Sequence, residues 1–144
     1  MRRRFLGVRA ALVVEATLPG MPSPVETAVD TYIRACSERD PATRAQLFEA
    51  CLADDVRMVT SGREVRGRAS LVQMLTPFLD DPRLARIRLI SAVDARGTIF
   101  RYRALAELRD GTSAEAFDAG EIDGNGRISL FLTFAGPLAD AAER

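Results

Sequence analysis

The chain has 144 residues, of which 47% are hydrophobic and 28% charged, a length and composition typical of one globular domain. All 20 basic residues are arginine and they balance 20 acidic residues, so the zero net charge argues against a general nucleic-acid-binding protein. The absence of lysine and histidine excludes a Schiff-base lysine, a Ser-His-Asp triad and a histidine-rich metal site. We therefore expect no nucleic-acid partner, no cofactor and no metal.

Residues 1–22 are predicted to be an extension ahead of the domain. Residues 2–6 (RRRFL) resemble a twin-arginine export motif, but Arg9 interrupts the apolar run that such a signal needs. No apolar stretch there is long enough to cross a membrane, so no membrane partner is expected. We expect a cytoplasmic protein, with export as the alternative, a domain over residues 23–137 and a C-terminal tail over 138–144.

The first helix has a well-marked beginning. Ser23 can cap it, Pro24 suits the first helical position, and Glu26 completes a capping box with Ser23. Apolar residues then recur at the helical period, which predicts one buried face made of Val25, Ala28, Val29, Tyr32, Ile33 and Cys36.

Two further helices are predicted. One begins at Asp40-Pro41, and the other follows Gly67 and should kink or fray at Pro77. The second helix is expected to direct inward Ala45, Phe48, Cys51 and Leu52, and the third Leu71, Val72, Met74, Leu75 and Phe78. The two cysteines, Cys36 and Cys51, are expected to be core residues, with a disulfide or a reactive thiol as the alternative.

Strands make up the rest of the chain. A short strand is predicted over Val56 to Thr60, and from Leu84 the apolar residues alternate with polar ones, with a hairpin turn at Asp110-Gly111. The inward residues are expected to be Ala85, Ile87, Leu89, Val93, Phe100, Tyr102, Ala104, Ala106, Leu108, Ala114, Ala116, Asp118, Gly120, Ile122, Ile128, Leu130, Leu132 and Phe134, with Phe131 on the opposite face. Three helices followed by a meander of strands predict an α+β fold, whose sheet should curl around the helices and enclose an apolar interior.

The sequence resembles the nuclear transport factor 2-like superfamily, in particular its SnoaL-like and ketosteroid-isomerase-like members. The resemblance rests on YIRACSERD at 32–40, LADDV at 52–56, DAGEIDGNGRI at 118–128 and FAGP at 134–137, and it spans residues 23–137. It implies a cone-shaped, curved antiparallel sheet wrapped around three N-terminal helices, the cystatin-like α+β barrel roll. It also implies a pocket at the wide end of the cone and a homodimer formed through the sheet.

The resemblance places Tyr32 and Asp118 at the oxyanion-hole positions of ketosteroid isomerases. The general-base positions of the isomerases and of the SnoaL-type cyclases hold Thr60 and Thr133. The family likeness therefore implies hydrogen-bond donors in a pocket and no base of either known type.

Asp118 and Tyr32 are the predicted catalytic residues. Asp118 lies on a face otherwise made of Ala, Gly and Ile, where a carboxyl group must be paired, hydrogen-bonded or protonated. A neutral acid there could donate a hydrogen bond to an oxyanion, although pairing with an arginine explains it equally well. Tyr32 could act with Asp118 or could simply be a core residue.

The predicted ligand-binding residues are Met58, Thr60, Tyr102 and Leu132, with core packing as the alternative for Tyr102 and Leu132. The stripe Arg86, Arg88, Arg101 and Arg103 is expected to pair with Glu107, Glu115 and Glu121.

Three functions remain open from the sequence. The first is binding of a small, mostly apolar molecule in the cone pocket. The second is a cofactor-independent acid–base enzyme, an isomerase, polyketide cyclase or dehydratase, in which Asp118 and Tyr32 stabilise an oxyanion. The third is a partner-binding dimer that meets its partner through Phe131 and Phe117.

Overall fold

The computed structural model describes residues 20–136 and 140–142; the stretch that resembles an export motif, residues 2–6, and most of both ends lie outside them. Its three helices are α1 (Pro24–Ser37), α2 (Pro41–Cys51) and α3 (Arg68–Leu79). Its seven strands are β1 (Leu52–Thr60), β2 (Arg63–Arg66), β3 (Leu84–Leu89), β4 (Asp94–Arg96), β5 (Ile99–Leu108), β6 (Ser113–Ile122) and β7 (Ile128–Ala135). None of these helices has the length and apolar character that a membrane crossing requires.

The strands form one open, curved sheet that packs around the helices. Its order is β2-β1-β7-β6-β5-β3, and β4 also pairs with β5. The pair β1–β7 is parallel and the others are antiparallel, so the sheet is mixed. The predicted α+β fold of three helices and a curved sheet is confirmed, with this one parallel pair as the difference.

The beginning of α1 is as predicted from its capping residues. The Ser23 hydroxyl accepts a hydrogen bond of 3.1 Å from the Glu26 amide, and Pro24 is the first helical residue. Of the predicted face, Ile33 is half-buried and the other members are buried against the sheet. Tyr32 packs against Phe131 of β7, with 4.6 Å between ring centroids, so α1 is tied to the middle of the sheet.

In α2, Phe48 and Cys51 are buried as predicted, but the inward position of Ala45 is wrong, because Ala45 is exposed. Arg44 is buried instead. Its Nε donates to the Glu38 carbonyl at 2.9 Å, and its Nη1 donates to Asp80 Oδ1 at 2.7 Å. These bonds satisfy the guanidinium group in the interior and connect the α1–α2 turn with the end of α3.

Helix α3 continues through Pro77 to Leu79, so of the two alternatives predicted at Pro77, a kink or fraying, fraying is wrong. The Asp80 amide still donates to the Thr76 carbonyl at 2.8 Å, and Arg39 donates to the carbonyls of Leu79 and Leu84. These bonds hold the last turn in place. Phe78 is 47% exposed rather than buried, at the mouth of the cavity described below.

Two register shifts overturn part of the inward face predicted for the sheet. The shift between Glu121 and Ile122 means that Ile128 and Phe131 both point inward, with Phe131 1% exposed. The inward positions of Leu130, Leu132 and Phe134 are therefore wrong, since a one-residue slip turns the following side chains to the other face. A second shift, between Leu84 and Arg86, leaves Ala85 exposed.

Candidate functional site

A cavity of about 420 Å³ lies between the helices and the inner face of the sheet. Helix α3 covers it with Met74, Leu75 and Phe78, and small side chains of β5 and β6 leave room beneath. Its polar groups come from five residues: Tyr32 of α1, Thr60 of β1, Glu115 and Asp118 of β6, and Thr133 of β7. No arginine is among the described residues that line it.

Four of the six predicted site residues line this cavity, namely Tyr32, Met58, Thr60 and Asp118. Tyr102 is 2% exposed and lies beside Asp118 without lining the cavity. Leu132 does not reach it, because the register shift in β7 turns Leu132 to the outer face of the sheet. Its neighbour Thr133 faces the cavity instead.

Tyr102, Asp118 and Thr133 form a row across three adjacent strands. Asp118 of β6 is directly opposite Tyr102 of β5 on one side and Thr133 of β7 on the other. Asp118 is 5% exposed, and Tyr102 Oη, Asp118 Oδ1 and Thr133 Oγ1 are all buried without a hydrogen-bond partner. Unpartnered buried polar atoms are costly, and the two that belong to cavity-lining residues, Asp118 Oδ1 and Thr133 Oγ1, favour a site that a ligand completes.

Burial raises the pKa of Asp118 from its usual 3.8 to about 6. The hydroxyl groups of Tyr102 and Thr133 act in the opposite direction and lower this pKa, but neither forms a well-directed hydrogen bond with the carboxyl group. Desolvation therefore dominates. At neutral pH the group is mostly a carboxylate, which accepts hydrogen bonds, whereas the oxyanion role needs its protonated form.

The buried tyrosines and cysteines in and around the cavity stay protonated, whereas Glu115, whose pKa is lowered by its hydrogen bond with Arg103, is ionised. Burial raises the pKa of Tyr32 and of Tyr102 well above 10, and the negative charge of Asp118 raises both further. Burial also raises the pKa of Cys36 to about 12 and that of Cys51 to about 12. Both thiols are buried and free, as expected for core cysteines, and neither has the thiolate character of a nucleophile.

The arginine stripe is paired outside the cavity. Arg86 and Arg88 both contact Glu107, at 2.5 and 2.6 Å, and Arg103 contacts Glu115 at 2.6 Å. Arg101 pairs with Asp94, which the sequence did not predict. Within residues 20–136 and 140–142 there is no cluster of three His, Cys, Asp or Glu side chains that could hold a metal ion.

No protein-family model matches the sequence, and neither does any curated protein. Solved structures do match. A proposed isomerase of the SnoaL-like family from Agrobacterium tumefaciens superposes with a TM-score of 0.71 at 23% identity, over 79% of this chain and 98% of that one. A nuclear transport factor 2-like protein from Burkholderia xenovorans superposes with a TM-score of 0.64 at 15% identity, over 83% of this chain and 88% of that one. The chain has the nuclear transport factor 2-like fold.

Two Mycobacterium tuberculosis proteins also superpose on this chain. One is an epoxide hydrolase similar to limonene-epoxide hydrolase, with a TM-score of 0.59 at 17% identity, over 78% of this chain and 81% of that one. The other was solved in complex with estradiol-17β-hemisuccinate, with a TM-score of 0.58 at 13% identity, over 78% of this chain and 93% of that one. The nuclear transport factor 2-like fold therefore occurs among proteins with different activities, and at these identities the likeness is one of fold.

Proposed function

We propose that the protein binds a small, mostly apolar molecule in the cavity and that Asp118 receives the polar end of that molecule. The carrying observation is that Asp118 and Thr133 each present an unpartnered buried oxygen at a mostly apolar cavity. A volume of about 420 Å³ is in the usual range for small-molecule sites, which combine apolar walls with a few convergent polar groups. The steroid conjugate bound by a protein of the same fold supports this proposal.

The residues take different roles in this proposal. Met58 and Thr60 contact the ligand from β1, and Tyr32 offers its hydroxyl group from α1. Thr133 joins them from β7 in place of Leu132. Tyr102 supports Asp118 from the neighbouring strand and does not itself line the cavity.

Acid–base catalysis is the second candidate, and the pKa of Asp118 favours it. A pKa of about 6 lies close to the working pH of many enzymes, where a carboxylate is an effective general base. Asp118 would then be the base itself, and the Tyr32 hydroxyl would stabilise the oxyanion. Such a donor is typically worth about 10²–10³ in rate.

The test of binding is to fill the cavity. We expect neutral steroids or bicyclic ketones to raise the melting temperature of the wild-type protein. At a ligand concentration a hundredfold above Kd, the free energy of unfolding should increase by about 2.7 kcal/mol. Ala116→Phe places a ring in the cavity and should abolish this effect, whereas Ala50→Phe, at an exposed position of α2, should retain it.

Equal stabilisation of wild type and Ala116→Phe would contradict the proposed site. Conversion of a ketone in the same mixtures, lost in Asp118→Asn while binding persists, would select the acid–base candidate over simple binding.

We also propose that the protein is a homodimer formed through the outer face of the sheet. Phe134 is 56% exposed there, its ring centroid is 6.5 Å from that of Phe117, and Leu132 is on the same face. Phe131 cannot take part as the sequence predicted, because it is 1% exposed and packs inward against Tyr32. Phe117, Leu132 and Phe134 are named the outer patch below.

A further inference from the structure

We propose that the molecule bound in the cavity is a lipophilic amine, whose ammonium group pairs with the Asp118 carboxylate. This inference rests on the proposed function and specifies the chemistry of the ligand. It follows from the charges that surround the cavity and from the lack of a protein cation within it.

Asp118 has no counter-ion among the described residues. It forms none of the ion pairs found there, and its Oδ1 is buried without a partner. The nearby acid Glu115 is already neutralised by Arg103, at 2.6 Å on the outer side of the sheet. A buried carboxylate without a cation is costly, and the arrangement becomes favourable when a cation arrives with good geometry.

The elements that pack around Asp118 present neutral side chains, which suit an ammonium group carried by an apolar molecule. Helix α1 brings Tyr32 and Cys36, which stay neutral, and β5 and β7 bring the hydroxyl groups of Tyr102 and Thr133. The cavity-lining residues of α3, β1 and β3 carry no charge: Met58, Thr60, Met74, Leu75, Phe78, Leu79 and Ile87. Aromatic rings and thioethers are polarisable surfaces that accommodate the carbon groups around an ammonium ion.

A neutral or an anionic ligand fits this arrangement less well. A ketone only accepts hydrogen bonds, so it would leave the ionised Asp118 without a donor, and an anion would meet a second negative charge. The pH dependence separates these ligands. An ammonium ion binds the ionised carboxyl group, so its affinity rises with pH up to about 6 and is constant above, while ketone affinity falls as pH rises through that value.

The experiment uses three probes with one carbon skeleton: 1-adamantanemethylamine, 1-adamantanemethanol and 1-adamantanecarboxylate. Binding to the full chain is measured by isothermal titration calorimetry at about pH 5 and about pH 7.5, a range in which an alkylammonium group stays charged. We expect the amine to bind at least about tenfold more tightly than the alcohol at the higher pH and to lose that advantage at the lower one. The carboxylate should bind weakest.

Asp118→Asn keeps the shape of the side chain and removes its charge. In this variant the amine should lose its preference over the alcohol, while alcohol binding changes by less than about threefold. Asp30→Asn, the same change at an exposed position of α1, should leave the preference intact.

Two outcomes would contradict the proposals, and they can be told apart. If the alcohol binds as tightly as the amine at about pH 7.5, or if the preference survives in Asp118→Asn, the amine inference is overturned and the apolar-binding proposal stands. If none of the three probes binds at either pH, both the binding proposal and the inference are overturned.

Discussion

Burial of Asp118 makes the stability of the protein depend on pH. Its pKa is 3.8 in an ordinary environment and about 6 in the folded chain, so the folded state holds the proton more tightly than the unfolded state does. Below about pH 3.8 both states are protonated and the site imposes no cost. Stability is then lost as pH rises through about 6, where the full cost of the buried charge is reached.

Asp118→Asn should therefore stabilise the protein at alkaline pH. The difference between the two pKa values corresponds to about 3 kcal/mol, which is the upper limit for the gain at about pH 8. Near pH 4 the gain should be close to zero, as measured by urea unfolding at both values. Asp30→Asn is the control, because that carboxylate is exposed. Equal stability of the variant and the wild type at about pH 8 would show that the carboxyl group is solvated.

At the scale of single elements, the approach of β6 to its neighbours depends on Gly120. A methyl group at this position would collide with the Leu130 carbonyl oxygen of β7 and lie 2.7 Å from the Phe100 ring of β5. Gly120 is two residues beyond Asp118 on the same strand face. The strand spacing that aligns the row of Tyr102, Asp118 and Thr133 thus needs a residue without a side chain.

Gly120→Ala should destabilise the protein by about 1–3 kcal/mol, because neither a backbone carbonyl nor a packed ring can move away freely. Gly124→Ala is the matched control, since a methyl group in that turn meets nothing within 4 Å. Urea unfolding with a shared m-value measures both. The steric argument fails if the two variants unfold at the same urea concentration.

The elements also show which features the sequence can predict. Helix α1 is predicted well because Ser23, Pro24 and the apolar face are all local signals. Which side chains of β7 point inward is not predicted correctly, because the register shift after Glu121 is a property of strand pairing. Alternation within one strand does not reveal it. Because of that error, Leu132 is predicted at the site, where the structure has Thr133. Strand β2 has only four residues and no apolar alternation, so its sequence carries no strand signal. The pair of the buried Arg44 with Asp80 likewise depends on a partner distant in the chain.

For the molecule as a whole, the outer patch determines the oligomeric state that we expect, a dimer. Phe134→Asp places a charge in the centre of this patch and should convert a dimer to a monomer, as measured by light scattering during size-exclusion chromatography. Phe78→Asp is the control, because Phe78 is 47% exposed but belongs to α3, away from the outer face. A wild-type protein that is already monomeric, or a dimer that survives Phe134→Asp, would contradict the proposed interface.

The pairing of β1 with β7 has a consequence for the order of synthesis and folding. Residues 52–59 of β1 pair with residues 128–132 of β7. The edge of β1 that pairs with β7 therefore stays uncovered until nearly the whole domain has been translated. Until then the nascent chain can form its helices and the β1–β2 hairpin, with an open strand edge and an incomplete core. Contacts between such distant segments slow folding. The last strand to leave the ribosome is therefore the one that closes the centre of the sheet, and an interrupted chain would expose a template for aggregation.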